Sequence, residues 1–418
     1  MNDWFRISIA DSQVHVKFLL SLNRFWPPEV LRQRPLPMPE VAGTPVTLTG
    51  AGAVWMYAHA AAVLRAAGAR EVRVLTPRRP GESDDLEGST SQLVTAGHRH
   101  CGALLSISLR PFPPLCPAAV DLLLEPRLEE LSRLRPGELT LAGRASAEVY
   151  ARAALAAIDG GVRRISCWSA RDGLVVVFDP DGAQVGCTIA RPDWLAQAMP
   201  RPVRPVVVGV AGDPNRGKSV FSAVLDWYRE RIGCDGWKLD CDGQAPTPPW
   251  YLSMVGQMPE AEVLLLREAH KRPWTPEMEA DIARQIRLAR EIFSVLIADL
   301  PGGNHKVSPA QRVPPGRERI FAENDAIVLL AGDNNSEQAW REALRPHGLD
   351  GRIAAVLRSS EPDALPALVT NQVADLWRGE VRGLDRKRTT AELGEAFRPG
   401  LDRLWPALLD PAHRRYRA

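Results

Sequence analysis

Gly212-Asp213-Pro214-Asn215-Arg216-Gly217-Lys218-Ser219 fits G-x-x-x-x-G-K-[ST], the spacing of a loop that cradles phosphates. Its flanks fit as well. Pro205-Val206-Val207-Val208-Gly209-Val210 upstream is a short β-branched run of the kind that forms a buried parallel strand. Val220-Phe221-Ser222-Ala223-Val224-Leu225 downstream spaces its apolar residues for a helix. Strand, glycine loop and helix in that order turn successive backbone N–H groups toward an anion at the positive end of a helix dipole. The candidate nucleotide contacts are therefore Gly212 to Ser219 and the helix-opening Val220. Lys218 is the candidate cation for the β/γ-phosphates, and the Ser219 hydroxyl a candidate Mg²⁺ ligand. Nearly all the basic residues are arginine, so a lysine at the one position that needs a slim point charge carries weight.

Over the whole chain, 418 residues suggest two or three domains, and 45% hydrophobic with 24% charged residues is ordinary globular composition. A formal net charge of +2 gives no general attraction to nucleic acid or a membrane surface. The start, Met1-Asn2-Asp3-Trp4, lacks a charged-then-apolar leader, and no apolar run is long enough to span a bilayer. Six cysteines without a C-x-x-C pair read as reduced thiols, and the expected location is cytoplasmic.

Proline marks the seams. Pro113-Pro114 with Pro117 suggests one boundary, and Pro200-Arg201-Pro202-Val203-Arg204-Pro205 another. The expected units are residues 1–110, 111–197 and 198–418. Ahead of the second cluster the chain repeats itself. Thr47-Leu48-Thr49-Gly50 returns as Thr140-Leu141-Ala142-Gly143, 93 residues on, and the same offset carries Tyr57 to Tyr150 and Val72 to Ile165. Each copy reads as strand, glycine turn, alanine-rich helix, strand; duplication and shared secondary structure both produce such a pattern. After the P-loop, Ser294–Asp299, Asp325–Leu330 and Arg352–Leu357 read as buried strands. Pro276–Phe293, Ser336–Arg345 and Asp363–Gly379 read as helices between them. The expected class is α/β: two small modules, then a domain with a mostly parallel sheet.

Asp299 closes one of those strands and leads into Leu300-Pro301-Gly302-Gly303. Ligands of open α/β sheets bind at the carboxyl ends of strands, so Asp299 is a candidate Mg²⁺ ligand and Gly302 a candidate donor to the terminal phosphate. A helix-capping aspartate in a glycine turn is the alternative. Asp240-Cys241-Asp242-Gly243 stands where P-loop kinases often put acceptor-binding carboxylates, although Asp and Gly there also make a plain turn. Lys271 and Arg272 either clamp phosphates, within the chain or across a subunit interface, or form a solvated basic turn.

Val46-Thr47-Leu48-Thr49-Gly50-Ala51-Gly52-Ala53-Val54-Trp55-Met56-Tyr57 resembles the hallmark of the third family of CRISPR-associated ring nucleases, a strand followed by S/T-G-R-G-P-I-W-L and a helix. Val14–Phe18 and Trp26-Pro27-Pro28-Glu29-Val30-Leu31 match that family's opening, and longer members carry a C-terminal P-loop domain labelled AAA. Asp240–Gly243 with Trp250, Lys271–Glu277 and Gly383-Leu384-Asp385-Arg386 resemble segments of that domain. The resemblance implies type III CRISPR immunity, ring-nuclease-like modules and recognition of cyclic tetra-adenylate, with Gly50, Gly52, Trp55, Arg78 and Arg171 as candidate contacts. The family's catalytic turn carries an aspartate and its next strand a histidine. Here Thr76 and Ser169 stand for the aspartate and Pro180 for the histidine. A hydroxyl is a poor general base beside a carboxylate, so binding without ring cleavage is the expectation. Residual cleavage through His98, His100 or Asp172 is the competing one.

Together these readings give a homo-oligomeric ATP hydrolase or phosphotransferase that uses ATP and Mg²⁺. Cyclic oligoadenylate would be its messenger and RNA or a nucleotide its acceptor. An ATP-dependent scaffold with little turnover is the alternative.

Overall fold

The computed structural model describes the chain apart from residues 1–2, 11–12, 20–25, 38–40, 51, 76–83, 85, 87–88, 97–100, 110–114, 199–204, 235, 244–258, 272, 306 and 411–418. The chain divides into two compact units, Met1–Pro200 and Arg201–Ala418, beside the second proline cluster. Its architecture is α/β, with three sheets and mostly parallel strands. Among the described residues no helix is long and apolar enough to cross a membrane.

The first unit contains strands β1 (Phe5–Ala10) and β2 (Gln13–Phe18), helix α1 (Val30–Gln33), β3 (Pro45–Gly50), α2 (Val54–Ala66) and β4 (Glu71–Val74). It continues with β5 (Thr90–Ala96), β6 (Gly102–Ser108), α3 (Pro117–Leu134), β7 (Glu138–Ala142), α4 (Ala147–Asp159), β8 (Arg164–Ser169), β9 (Gly173–Phe178), β10 (Thr188–Ile189) and α5 (Asp193–Ala198). Strands β1 to β4 form one sheet in sequence order, and β5 to β10 form another. In both sheets the first pair is antiparallel and the next two pairings are parallel.

A local contact recurs with this order. Tyr57 Oη donates to the Gly50 carbonyl at 2.8 Å, and Tyr150 Oη donates to the Gly143 carbonyl at 2.9 Å. Both glycines have positive φ, 101° and 108°. Shared secondary structure alone does not place a tyrosine on the same glycine carbonyl twice, so the repeat is a duplication of structure. Helices α2 and α4 pack on each other, and buried side chains from both copies join one core.

The seam between the copies is not at 110/111 as expected. Strands β5 and β6 hydrogen-bond into the second sheet, so the second copy has begun by Thr90. Pro117 does not mark a linker. It sits in the first turn of α3, where its missing N–H costs nothing. The other prolines of that cluster, Pro113 and Pro114, lie outside the described residues.

Within this core His59 is 4% exposed. Its Nδ1 donates to the Val177 carbonyl at 2.7 Å, and its Nε2 is buried without a hydrogen-bond partner among the described residues. Burial lowers its pKa to about 4, only partly offset by the backbone bond. A folded value below the unfolded one means that the unfolded chain takes up the proton first. Stability is then intact above about pH 6.5 and falls as the pH drops toward about 4, by about 3 kcal/mol in all. Urea denaturation of the wild type should therefore lose about 2 kcal/mol more between pH 7 and pH 5 than the same titration of His59→Gln. Parallel losses would show that His59 is not the titrating group.

The second unit runs β11 (Val206–Gly212), α6 (Lys218–Arg231), β12 (Gly236–Asp240), α7 (Glu260–His270), α8 (Pro276–Arg290), β13 (Val295–Asp299), α9 (Glu318–Ala322), β14 (Ala326–Ala331), α10 (Asn334–Leu344), β15 (Ile353–Ser360), β16 (Ala367–Val373), β17 (Leu376–Arg382) and α11 (Thr390–Leu409). Seven strands lie in the order β12-β13-β11-β14-β15-β17-β16, all parallel except β16. Strands β11, β13 and β14 are buried along their whole length, which is why they read as unbroken apolar runs. The helix expected over Asp363–Gly379 is instead the hairpin of β16 and β17. Its burial alternates, with Leu368 and Thr370 inward and Val369 outward, and Ala374 takes φ 55° at the turn. That period of two favours strand over helix.

Candidate functional site

The order of the sheet brings the chemistry to the carboxyl edge of β11, β12 and β13. Strand β13 pairs directly with β11, with Val210 opposite Asp299, and β12 pairs with β13, with Asp240 opposite Asp299. Asp213 to Gly217 then connect β11 to the first turn of α6. Asn215 and Gly217 have φ 62° and 79°, and a Cβ on Gly217 would stand 2.7 Å from Leu384 Cδ1. Only glycine meets both the dihedral angle and the close approach.

Lys218 Nζ donates to the Asp213 carbonyl at 3.2 Å, and a Cβ on Gly302 would lie 2.9 Å from that Nζ. Burial lowers the Lys218 pKa, against the opposing charges of Asp299, Asp242 and Asp213. Asp299 is 2% exposed, and the Ser219 hydroxyl is among the groups that favour its charged form. Asp299 Oδ2 is buried without a hydrogen-bond partner among the described residues. Burial raises the Asp299 pKa, with Lys238, Ser219 and Lys218 opposing. A buried carboxylate oxygen without a donor is costly unless a cation completes it. One carboxylate and one hydroxyl also suit Mg²⁺, which takes few protein oxygens and fills its shell with water and substrate phosphates. The residues present fit that ion.

Asp240 lies beside this pair, and burial together with the Asp299 charge pushes its pKa up to about 7. Asp242 N–H donates to Asp240 Oδ1 at 3.1 Å, closing the turn after β12. Thr275 caps α8 by accepting from Met278 N–H at 3.2 Å, and the space a Gly243 Cβ would take is filled by Met278 and Ile282. Arg317 stacks 4.2 Å over the Trp274 ring, and its pKa, lowered by burial, is held up by the charges of Glu279 and Asp242. Asp240 and Asp242 thus gather with Asp299, whereas Lys271 does not join them. It pairs with Glu268 at the exposed end of α7. Arg272 lies outside the described residues, as do Trp250 and Lys306.

The side chains of other loop residues are engaged within the protein. The Asp213 carboxylate is taken up by neighbouring side chains. It accepts from Ser336 Oγ at 2.6 Å and Trp340 Nε1 at 3.0 Å, and pairs with Arg312 Nε at 3.2 Å. Burial would raise its pKa, but these partners outweigh burial and hold it low. The loop is thereby anchored to α10 and to the segment after β13. Ser359 Oγ donates to the Arg216 carbonyl at 3.0 Å, and the Arg216 guanidinium lies against Gly332. Pro214 is exposed, while the Val220 side chain is in the core, leaving only its backbone N–H for a ligand. His305 Nε2 donates to the Gly302 carbonyl at 2.8 Å.

In the first unit Trp55 is 2% exposed and belongs to the core, so its side chain offers a ligand no surface. The physical reason is that an alanine-rich helix needs one large side chain to fill the space beneath it. A Cβ on Gly52 would pack 3.1 Å from Phe18, and Gly50 is fixed by its carbonyl bond to Tyr57. Arg171 is half-buried in the turn from β8 to β9, where Ser169 Oγ donates to Asp172 Oδ2 at 2.9 Å. Thr76, Arg78, His98 and His100 lie outside the described residues.

Sequence patterns miss two features here, the Asp213 anchor and the approach of residues 383–386 to the P-loop. Only tertiary structure joins those segments, and no local pattern announces them.

No protein-family profile matches the chain, and no curated protein matches it. Among solved structures it is similar to a DUF1611 family protein from Anabaena variabilis, with TM-score 0.24 and 12% identity, over 56% of this chain and 71% of that one.

Proposed function

We propose that residues 201–418 bind a nucleoside triphosphate, ATP in the first instance, with Mg²⁺ and transfer its terminal phosphoryl group. One observation carries the reading. Asp299, whose carboxyl is influenced by the Ser219 hydroxyl and the Lys218 charge, has a buried oxygen without a donor among the described residues, at the foot of a glycine-rich loop. Ser219 and Asp299 would hold the ion, which when bound neutralises charge on the phosphate oxygens. Lys218 leaves the Asp213 carbonyl for the phosphates, and the backbone N–H groups of Asn215 to Ser219 line their path. Asp240 and Asp242 face the acceptor side. A carboxyl group that titrates near neutrality suits taking a proton from an acceptor hydroxyl or from water. The test is calorimetric titration of the full chain with MgATP, followed by phosphate release. Absence of binding would overturn the reading, and binding without turnover would leave an ATP-dependent scaffold.

We further propose that the duplicated modules bind cyclic tetra-adenylate of a type III CRISPR system without cutting it. The sequence likeness over Val46–Tyr57 and the matched glycine–tyrosine contacts of the two copies support this. Ser169 holds Asp172 in a turn, which gives that carboxylate a structural task. Labelled cyclic tetra-adenylate should bind and be recovered intact. Linear product would restore ring cleavage to these modules.

A further inference from the structure

We propose that Arg386 is a third cation of the triphosphate site, supplied by the same chain, which engages the phosphoryl group in transit. The inference rests on the triphosphate reading above. The turn that carries Arg386 is set against the P-loop by Leu384, whose Cδ1 and Cβ stand 2.7 Å and 2.8 Å from where a Gly217 Cβ would be. The turn is fixed at both ends. Gly383 N–H donates to the Glu361 carbonyl at 3.0 Å, Lys387 N–H donates to Asp385 Oδ1 at 2.9 Å, and Arg388 Nη2 donates to the Ala364 carbonyl at 3.2 Å. Thr389 then caps α11, accepting from Glu392 N–H at 3.2 Å. The position of Arg386 is therefore built in by its neighbours.

Its charge is left over. Nearby arginines are engaged: Arg378 and Arg341 share Glu337, and Arg388 bonds a carbonyl. Arg386 is half-buried and makes no hydrogen bond or ion pair among the described residues. Another cation lies near it, because the Arg386 charge is among those acting on Lys218, where it adds to the lowering caused by burial. Two like charges held together at a partly dry site repel; Asp299, Asp242 and Asp213 act on Lys218, but among the described residues no carboxylate forms an ion pair with Arg386. An anion between the two reverses the sign of that arrangement. A triphosphate held by the loop brings such an anion, and a guanidinium also suits the spread charge of a phosphoryl group in flight. Lys271, which sequence alone offers for this task, is engaged by Glu268.

Three full-length proteins decide the matter: wild type, Arg386→Ala and Arg386→Lys. Each is titrated with MgADP, then with MgADP plus aluminium fluoride, and assayed for phosphate release. The expected result for Arg386→Ala is an ADP affinity within about threefold of wild type and turnover lower by about 10²-fold. The extra affinity that aluminium fluoride confers should also be lost. Arg386→Lys should recover part of both, because it restores the charge without the planar fork. Mixing Arg386→Ala with Lys218→Ala should restore no activity if the arginine acts within its own chain; restored turnover would place it across an interface and overturn the assignment. Turnover of Arg386→Ala within about twofold of wild type overturns it as well. So would equal losses of ADP affinity and turnover, which would make Arg386 a ground-state anchor. Wild type that fails to bind MgADP would instead sink the triphosphate reading. If Arg386→Ala does not fold, the same comparisons are made between wild type and Arg386→Lys.

Discussion

Lys218→Ala is expected to reduce triphosphate turnover by about 10³-fold, to the level of a protein-free blank. On the proposed reading the lysine is the cation that the loop carries to the phosphates; its Nζ rests on the Asp213 carbonyl and against Gly302. Removing one preorganised charge or donor from a partly dry site costs about 10²–10³ in rate, and a lysine bridging two phosphates stands at the upper end. The fold should survive. Burial already lowers the Lys218 pKa, so the folded protein bears the ammonium there at some cost, and thermal melting should not fall. Phosphate release measured with matched melting curves checks both halves. A fully active variant would mean that the loop is a structural turn.

Gly143→Ala should be the most damaging small substitution in the first unit. A Cβ at Gly143 would stand 2.0 Å from the Ile107 carbonyl oxygen, at φ 108°. The strained dihedral costs about 1–3 kcal/mol, and the clash, being with backbone, can be relieved only by moving β6. A loss of about 4 kcal/mol or more is expected, a large share of the stability of an ordinary domain. Gly50→Ala should act in the same direction, since its Cβ would lie 2.3 Å from the Phe18 carbonyl oxygen. Gly161 is the control. It also has positive φ, 79°, but nothing lies within 4 Å, so Gly161→Ala should cost only about 1 kcal/mol. Denaturant midpoints of the three variants test the order. Equal losses at Gly143 and Gly161 would show that backbone conformation alone, rather than close approach, makes these glycines necessary.

Much of the second unit can be read from the chain because its strands are buried on both faces. Val206–Val210, Val295–Ala298 and Ala326–Leu330 advertise themselves as apolar runs, and the glycine loop requires a helix after the first of them. The hairpin of β16 and β17 reads wrongly as a helix because Ala367–Val373 packs on one face only. Its alternation is a weaker signal than the apolar count that suggests a helix. The position of β5 and β6 escapes for another reason: strand pairing is non-local, and proline marks turns without saying whether a domain ends there. That Lys218, Ser219 and Asp299 come together is legible, because the loop after β11 and the end of β13 lie side by side. The anchoring of the Asp213 carboxylate and the nearness of Arg386 to Lys218 are not, since each depends on residues far away in sequence.

The packing of α2 on α4 has a consequence for how the first unit responds to concentration. Partners that meet through one shared core, when encoded separately, come apart as they are diluted. Here a covalent tether holds each copy at a high effective concentration near the other, so their association should be indifferent to how scarce the protein is.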